Sequence, residues 1–260
     1  MTGRPEETLQ RGEIVVLGRI RSASNATFLC EARLPDSVVQ CVYKPVAGEQ
    51  PLWDFPDGTL AGREYGAFLV SDALGWNIVP HTVIRPGPAG PGMVQLWVEQ
   101  PEDAALVDLR PADSVPAGYI SVLTAYDYSG DEVTLVHADD PRLRRMAVFD
   151  VIVNNADRKG GHILAGVDGG VYGVDHGISL HTQDKLRTVL WGWAGSPVDE
   201  DTLAALRNLD DQLGGTLGSR LREHITGAEL AALRRRVRGL LDDPVMPKPE
   251  RGRPLPWPAF

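Results

Sequence analysis

Short runs of alternating hydrophobic and polar residues fill the first third of the chain, a pattern typical of β-strands. One segment, Arg63 to Leu74, has helical spacing instead, and Gly75 is its predicted C-cap. This part of the chain is therefore predicted to be strand-rich. Strands are predicted at IVVLGRI and TFLCEARL within Glu13 to Leu34, at Val38 to Lys44, at Asn77 to Arg85 and at Gly92 to Val98.

The pattern changes after Glu99. The polar segment up to Asp108 is predicted to be a linker, and 113–130 is predicted to be irregular, with a short helix and a strand both open for Tyr119 to Tyr128. The proline-rich segment from Pro244 to Phe260 is predicted to run extended across the surface. The fold class that follows is α+β. Helices are predicted at Asp140 to Val153, at Asp199 to Leu213 and at Thr226 to Leu241.

Two acidic residues each follow a short apolar run. Asp157 comes after Phe149 to Val153, and Asp175 comes after Val171 to Val174. Because only a short turn separates the two segments, a hairpin is predicted to present both carboxylates to one cleft. Carboxylates with a basic charge clamp suit the binding and turnover of a metal-chelated phosphate. The polar and basic neighbours of Asp157 are Asn155, Arg158, Lys159 and His162, of which Arg158 is a candidate catalytic residue.

Lys44 ends the third predicted strand, immediately before Pro45, and the alternation of this strand places Lys44 on the face opposite Cys41 and Tyr43. The turn of small residues between the first two strands contains Ser22, Ser24 and Asn25 and could form an anion-binding concavity; a plain hairpin turn is the alternative. A lone strand lysine is usually solvated, but this order of elements makes a phosphate-binding role for Lys44 an equal alternative. Two acidic residues are candidate partners for its ammonium group, Glu64 and Glu49.

The composition of the chain argues against several classes of protein and of partner. The 260 residues, 43% of them hydrophobic, suit one large domain or one domain of two lobes. A net charge of -9 argues against a nucleic-acid partner. The arginine cluster at 234–238 is predicted to be a solvated face, with a local acidic or membrane partner as the alternative. No apolar run approaches the roughly 20 residues of a membrane span, so a cytoplasmic protein without stable membrane insertion is predicted. Cys30 and Cys41 are expected to be buried reduced thiols rather than a disulfide.

Five motifs follow one another in a characteristic order: VYKP at Lys44, REYGAFLVSDALGWNIVPHTVI, GMVQLWVE, FDVIVNNADRKGGHIL and VYGVDHGISLH. Over roughly residues 13 to 193, the sequence resembles the phosphatidylinositol 3/4-kinase family. The resemblance is strongest to the type II phosphatidylinositol 4-kinases and to an actinobacterial kinase-like branch. It implies a two-lobed protein-kinase-like fold, with ATP between a strand-rich N-lobe at 1–99 and a mainly helical C-lobe at 100–260.

The resemblance also implies nucleotide contacts. Lys44 would contact the α and β phosphates, Glu64 or Glu49 would orient it, and the turn from Ser22 to Asn25 would cover the phosphates. The hinge would be Gln95 to Glu99, where the backbone near Trp97 and Val98 would pair with the adenine edge.

Two aspartates receive unequal roles from the same resemblance. Asp157 would orient the acceptor hydroxyl and take its proton, and Asp175 would bind the metal that bridges the phosphates. The chain departs from the family at the fifth residue after the catalytic aspartate, where His162 replaces the usual asparagine. Neutral imidazole is a poorer ligand than an amide oxygen for Mg²⁺ and suits Mn²⁺ or Zn²⁺ better.

The function implied is an ATP-dependent phosphotransferase that uses ATP and Mg²⁺, with Mn²⁺ as an alternative. It would move the γ-phosphate to a hydroxyl of a protein, a small molecule or a lipid. Because of His162, the alternative is a nucleotide-binding pseudokinase that acts as a regulatory binding module. A structural two-lobed protein without nucleotide would leave the ordered motifs unexplained.

Overall fold

The computed structural model describes residues 4–21, 25–102, 105–127, 129–249 and 252–260 and has an α+β fold. A short helix, α1 (Pro5–Arg11), precedes a five-stranded antiparallel sheet with the order β1-β2-β3-β5-β4. The predicted strands of this region are therefore confirmed, although the fourth begins at Thr82 rather than at Asn77 and the fifth ends at Leu96 rather than at Val98. The strands are β1 (Glu13–Arg19), β2 (Phe28–Leu34), β3 (Ser37–Pro45), β4 (Thr82–Gly87) and β5 (Gly90–Leu96).

The two cysteines face each other across β2 and β3, and both are free and buried, as predicted. Burial raises the pKa of the Cys30 thiol to about 11 and that of Cys41 to about 12. Both thiols are therefore protonated near neutral pH, and they contribute to the core beneath the sheet.

Helix α2 (Leu60–Leu74) begins three residues before the predicted start at Arg63. The Thr59 hydroxyl accepts the backbone N–H of Gly62, an N-cap that the sequence pattern did not reveal. Glu64 consequently lies in the second turn rather than the first. The predicted C-cap is confirmed, because Gly75 is left-handed with φ 66°.

A second, three-stranded sheet occupies the region predicted to be a linker and an irregular segment. Its strands are β6 (Val107–Pro111), β7 (Tyr119–Tyr126) and β8 (Glu132–Ala138), in the order β6-β8-β7. Of the two alternatives left open for Tyr119 to Tyr128, the strand is confirmed, and the prediction of an irregular 113–130 is wrong over β7. The predicted linker ends at Val107, where β6 begins, and the part after residue 99 is mainly helical only from 141 onward. The alternation of hydrophobic and polar residues is weak in this region because β7 is an edge strand on which Leu123 and Tyr126 are exposed.

The predicted helices of the second part are confirmed, and one short helix was not predicted. Asp140 and Asp199 cap the first two by accepting backbone N–H groups, and Thr226 with Glu229 forms the predicted capping box on the last. The helices are α3 (Pro141–Val153), α4 (Glu200–Leu213), α5 (Thr216–Leu221) and α6 (Gly227–Asp242).

Helix α2 joins the five-stranded sheet to these helices. Its buried residues Leu69 and Val70 belong to the same hydrophobic core as Phe149 of α3 and Leu206 of α4. The opposite neighbours of α2 are β4 and β5 of the sheet. Helix α2 therefore lies at the junction between the five-stranded sheet and the helices. Residues of α2 and β3 meet there with the part of the chain that follows α3.

The arginines of α6 are largely neutralised. Arg234 and Arg238 both pair with Asp210, and Arg236 pairs with Asp184 at 3.1 Å. The predicted solvated face thus holds ion pairs. Over the described ranges, no helix combines the length and apolarity that a membrane crossing requires.

The described residues after α6 form no helix or strand, and they fold back onto the chain. The carbonyl oxygen of Pro254 accepts hydrogen bonds from Thr188 N–H and from the Trp191 indole. The carbonyl oxygen of Ala259 accepts the Gly160 N–H at 2.8 Å. This segment therefore lies against the loop that contains Asp157.

Candidate active site

Three charged side chains from distant parts of the sequence meet at the junction of sheet and helices. Lys44 Nζ, near the end of β3, lies 2.5 Å from Glu64 Oε1 of α2 and 2.6 Å from Asp175 Oδ1. The second carboxylate oxygen of Glu64 accepts the His176 N–H at 3.1 Å. Glu64 therefore orients the lysine and also holds the segment that carries Asp175.

Of the two predicted partners of Lys44, Glu64 is the one that pairs with it. The carboxylate of Glu49 is engaged elsewhere, because it accepts the N–H groups of Leu60 and Ala61 at 2.9 and 2.8 Å. These are unpaired donors of the first turn of α2, where a negative charge is favourable. Glu49 is thus a helix cap.

The charges of this cluster are mutually stabilised. Burial alone would lower the pKa of Lys44, but the carboxylates of Glu64 and Asp175 outweigh it and raise that pKa. The Lys44 charge in turn holds the pKa of Asp175 well below its usual range. Burial raises the pKa of Glu64, although Lys44 opposes that effect. A fixed cation and a half-exposed anion therefore stand side by side, as binding of a metal-chelated phosphate requires.

Asp175 has an uncommon backbone conformation, with φ 64°. The neighbouring N–H groups hold it: Val174 N–H donates to the His162 carbonyl oxygen at 3.0 Å, and His176 N–H donates to Glu64. Left-handed geometry at a residue other than glycine is costly and is often kept at functional sites. Here it places the carboxylate beside both Lys44 and His162.

The predicted hairpin is confirmed and consists of β9 (Ile163–Ala165) and β10 (Val171–Gly173). Asp157 precedes it and Asp175 follows it. Asp157 N–H donates to Asn155 Oδ1 at 3.0 Å, and the Asp157 carboxylate lies 3.2 Å from Lys159 Nζ. Burial raises the pKa of Asp157, and Lys159 opposes this. Asp157 is therefore a carboxylate whose proton affinity is increased, which suits a proton acceptor.

His162 connects the two aspartates. Its Nδ1 lies 2.9 Å from the Asp157 carbonyl oxygen, so this nitrogen is the one that carries the hydrogen. Burial lowers the pKa of the imidazole to about 4, so the ring is neutral at pH 7. The Nε2 lone pair then faces Asp175 Oδ2 at a separation of 3.4 Å.

Two facing acceptors without a hydrogen between them fit a shared cation. The donor set is an imidazole nitrogen and a carboxylate oxygen, which Mn²⁺ accepts readily and Mg²⁺ less so. No group of three or more histidine, cysteine or acidic residues that could hold a metal occurs in the described part of the chain. Phosphate oxygens and waters would complete the coordination, as is usual for Mg²⁺ with nucleotides.

The prediction that Arg158 is a catalytic charge clamp is wrong. Its side chain is fully buried and pairs with Asp150 at 2.9 Å. The guanidinium also donates to the carbonyl oxygens of His162 and Val174, at 3.2 and 3.1 Å, and contacts His176 Nε2 at 2.6 Å. Arg158 therefore fastens the hairpin to α3 and is closed to a substrate.

Sequence reasoning missed the partner of Arg158. Asp150 lies inside the apolar run VFDVIV, and an acid on a buried helix face needs a compensating charge. That run was the available signal for a buried ion pair. The cation beside the Asp157 carboxylate is Lys159.

The predicted hinge is only partly open to a ligand. Gln95 is buried in β5 between β3 and β4, and its Nε2 donates to Thr82 Oγ1 at 2.8 Å, so it cannot pair with adenine. Trp97 N–H donates to the Gln40 carbonyl oxygen at 3.0 Å. Among the described residues, nothing hydrogen-bonds to the backbone N–H or C=O of Val98. The backbone of Val98 therefore stays a candidate for pairing with adenine, whereas the Trp97 N–H is already occupied.

Glu99 and its neighbours border a different space. The Glu99 carbonyl oxygen accepts the Val167 N–H at 2.9 Å, which joins the hinge to the hairpin turn. Residues 96–99 line a cavity of about 480 Å³, to which neither Lys44 nor Asp175 contributes. The structure thus does not bring the side chains of the hinge to the charged cluster.

The phosphate-covering turn is described only at its end. Ser22 and Ser24 lie outside the described residues. The side-chain oxygen of Asn25 accepts the backbone N–H of Gln50 at 2.9 Å, which ties the turn to the segment after β3. The role of Ser22, Ser24 and Asn25 at a phosphate stays a prediction.

No family model matches the chain. A curated protein of Mycobacterium tuberculosis (strain ATCC 25618 / H37Rv), Protein Rv2133c, is 65% identical to it over 271 aligned residues. The match covers 100% of this chain and 98% of that protein.

Proposed function

We propose that this chain, which belongs to the same family as Protein Rv2133c, is an ATP-dependent phosphotransferase with two kinase-like lobes, 1–99 and 100–260. One observation carries the proposal: Lys44, Glu64 and Asp175 meet within hydrogen-bonding distance, and His162 joins them to Asp157. The resemblance to phosphatidylinositol 3/4-kinases supports it. The reaction would take place in the cytoplasm, where ATP is available.

The proposed roles follow from the contacts. The Lys44 ammonium binds the α and β phosphates, and Glu64 holds it in place. Asp175 and His162 would hold Mg²⁺ or Mn²⁺, whose charge would offset that of the phosphates. Lys44 pairs with Met93 of β5, and Val98 lies five residues further along the chain, roughly 17 Å from Met93 at the rise of an extended strand. An elongated ligand such as ATP reaches both.

The transfer step uses Asp157. The acceptor hydroxyl oxygen forms a bond to the γ-phosphorus while the bond from that phosphorus to the β–γ bridging oxygen breaks. ADP leaves, and the hydroxyl proton moves to the Asp157 carboxylate. The chain contributes mainly positioning and charge neutralisation, which dominate catalysis of this reaction class.

A second candidate is a nucleotide-binding pseudokinase. The observation that favours it is His162, since this imidazole stands where the phosphatidylinositol 3/4-kinases, which the sequence resembles, have an asparagine that binds metal. A pseudokinase would share the nucleotide contacts of Lys44 and Asp175 and lack phosphate transfer. The two candidates therefore differ in turnover and agree in binding.

Replacing Lys44 by methionine tests the nucleotide site. We expect ATP affinity, measured by titration calorimetry with Mg²⁺ or Mn²⁺, to fall roughly 10- to 100-fold, because a charge-assisted hydrogen bond is lost. The double variant Lys44→Met/Glu64→Gln avoids an unpaired buried carboxylate and should show the same loss. Arg33→Met, on the exposed face of β2, is the control. Unchanged affinity in both Lys44 variants would refute the assignment.

Replacing His162 by asparagine tests the metal pair. Asparagine supplies an amide oxygen for the cation and an N–H group for the Asp157 carbonyl oxygen. We expect the ratio of ATP affinity with Mn²⁺ to that with Mg²⁺ to fall severalfold, because the amide oxygen suits Mg²⁺ better than imidazole does. An unchanged ratio in calorimetric titrations would show that His162 does not contact the metal.

A further inference from the structure

A second cavity of about 500 Å³ lies beside the loop that carries Asp157. It is bounded by the end of α3, the segment 184–191, the last turns of α6 and residues of 243–248 and 253–254. We call it the α3–α6 pocket. None of the nucleotide-site residues described above lines it, and its volume suits a small molecule.

The α3–α6 pocket concentrates unpaired positive charge on a chain whose net charge is -9. Of its basic side chains, Lys185 pairs with Asp54 and Arg236 pairs with Asp184. The side chains of Arg187, Lys248 and Arg253 have neither an ion pair nor a hydrogen bond with any described residue. Of the two acidic residues that line the pocket, Asp243 likewise has no such partner among the described residues, whereas Asp184 pairs with Arg236. The basic residues that line the pocket are Lys185, Arg187, Arg236, Lys248 and Arg253.

One of the unpaired cations is attached to the catalytic loop. Arg187 N–H donates to the Asn155 carbonyl oxygen, and Arg158 N–H donates to the Arg187 carbonyl oxygen, both at 2.9 Å. The charge of Arg187 also lowers the pKa of Asp157, against the larger effect of burial, which raises it. The pocket therefore opens within electrostatic reach of the proposed proton acceptor.

The walls of the pocket are fixed by hydrogen bonds. The Trp191 indole donates to the Pro254 carbonyl oxygen at 2.9 Å, and Thr188 N–H donates to the same oxygen at 3.1 Å. Trp191, Leu240 and Pro254 supply apolar surface between the charged positions. A preformed, partly apolar pocket with a few charged groups is typical of small-molecule sites.

We propose that the α3–α6 pocket binds the phosphate acceptor, a small soluble organic anion that also carries a hydroxyl group. Its phosphate or carboxylate lies against Arg187, Lys248 and Arg253, and its hydroxyl is directed to Asp157. The acceptor role rests on the phosphotransferase function proposed above. The binding of an anion in this pocket does not depend on it.

Titration calorimetry with glycerol 3-phosphate and with inorganic phosphate, without nucleotide, tests the site. We expect the wild type to bind both, and Arg187→Gln and Arg253→Gln each to weaken the binding at least about tenfold, because a charge-assisted contact is lost. The control is Arg235→Gln, an exposed arginine of α6 outside the pocket, which should bind as the wild type does. Thermal unfolding verifies that each variant is folded.

Three results would overturn the proposal. They are no binding of either anion to the wild type, equal losses in Arg235→Gln, or binding only to vesicles of phosphatidylcholine with phosphatidylinositol. Failures of the two proposals are distinguishable. If ATP is turned over but the pocket variants leave the KM for the acceptor unchanged, the pocket assignment fails alone. If the anions bind as expected and no ATP is consumed, the phosphotransferase function and the acceptor role fail, and the anion site stands.

Discussion

Replacing Arg158 by methionine should lower the free energy of unfolding by about 3–5 kcal/mol, because it leaves the buried Asp150 carboxylate without its compensating charge. The carbonyl oxygens of His162 and Val174 lose their donor in the same variant. Chemical denaturation followed by circular dichroism measures the change. It is the largest stability effect expected from a single side chain near the site.

An exposed ion pair provides the control for this prediction. Arg207 and Glu200 pair at 2.6 Å on the surface of α4, with side chains that are 55% and 74% exposed. Arg207→Met should cost about 0–1 kcal/mol, because solvent screens the pair. The double variant Arg158→Met/Asp150→Asn should recover part of the loss. If Arg158→Met were no more destabilising than Arg207→Met, the buried pair would not hold the hairpin.

Local patterns predicted the elements that carry the site. The alternation in β3 placed Lys44 on the face opposite Cys41 and Tyr43, and the structure buries the latter two while Lys44 reaches the cluster. The apolar run before Asp175 predicted strand β10 of the hairpin, and the run before Asp157 lies in the predicted helix α3. These predictions succeeded because each depends only on a few adjacent residues and on the repeat of hydrophobic positions within a single strand or helix.

Local sequence patterns could not predict which charged residues pair when the partners are far apart in the sequence. The basic pair after Asp157 gave no indication that Arg158 points inward and Lys159 outward, since that depends on Asp150 in another element. The choice between Glu64 and Glu49 likewise depended on where α2 begins. The second sheet was missed because its edge strand is mostly exposed, so selection for an apolar face is weak there.

Under the proposed function, the contact between Lys44 and Asp175 would have to open when the nucleotide binds. These groups are 2.6 Å apart, and a metal-chelated triphosphate would insert its own negative oxygens and cation between them. Both the enzyme and the pseudokinase need that rearrangement. Asp157 takes no part in it, because its carboxylate contacts Lys159 instead. Asp157 therefore separates the two candidates.

Replacing Asp157 by asparagine should reduce phosphate transfer about 10²- to 10⁴-fold, because the proton acceptor is lost while the shape of the side chain is kept. ATP affinity should stay at the wild-type value, since neither Lys44 nor Asp175 hydrogen-bonds to the Asp157 side chain. The measurements are ADP formation with glycerol 3-phosphate or water as acceptor, and ATP titration calorimetry on the same samples.

The control for this variant is Asp168→Asn in the turn of the hairpin. The Asp168 carboxylate accepts the Tyr172 hydroxyl at 2.6 Å and the Gly170 N–H at 2.9 Å, so it belongs to the turn rather than to the charged cluster. We expect its turnover to equal that of the wild type. Wild-type turnover in Asp157→Asn would remove Asp157 from the reaction. ATP binding by the wild type without ADP formation would instead favour the pseudokinase, in which Lys44 and Asp175 bind a nucleotide that Asp157 never uses.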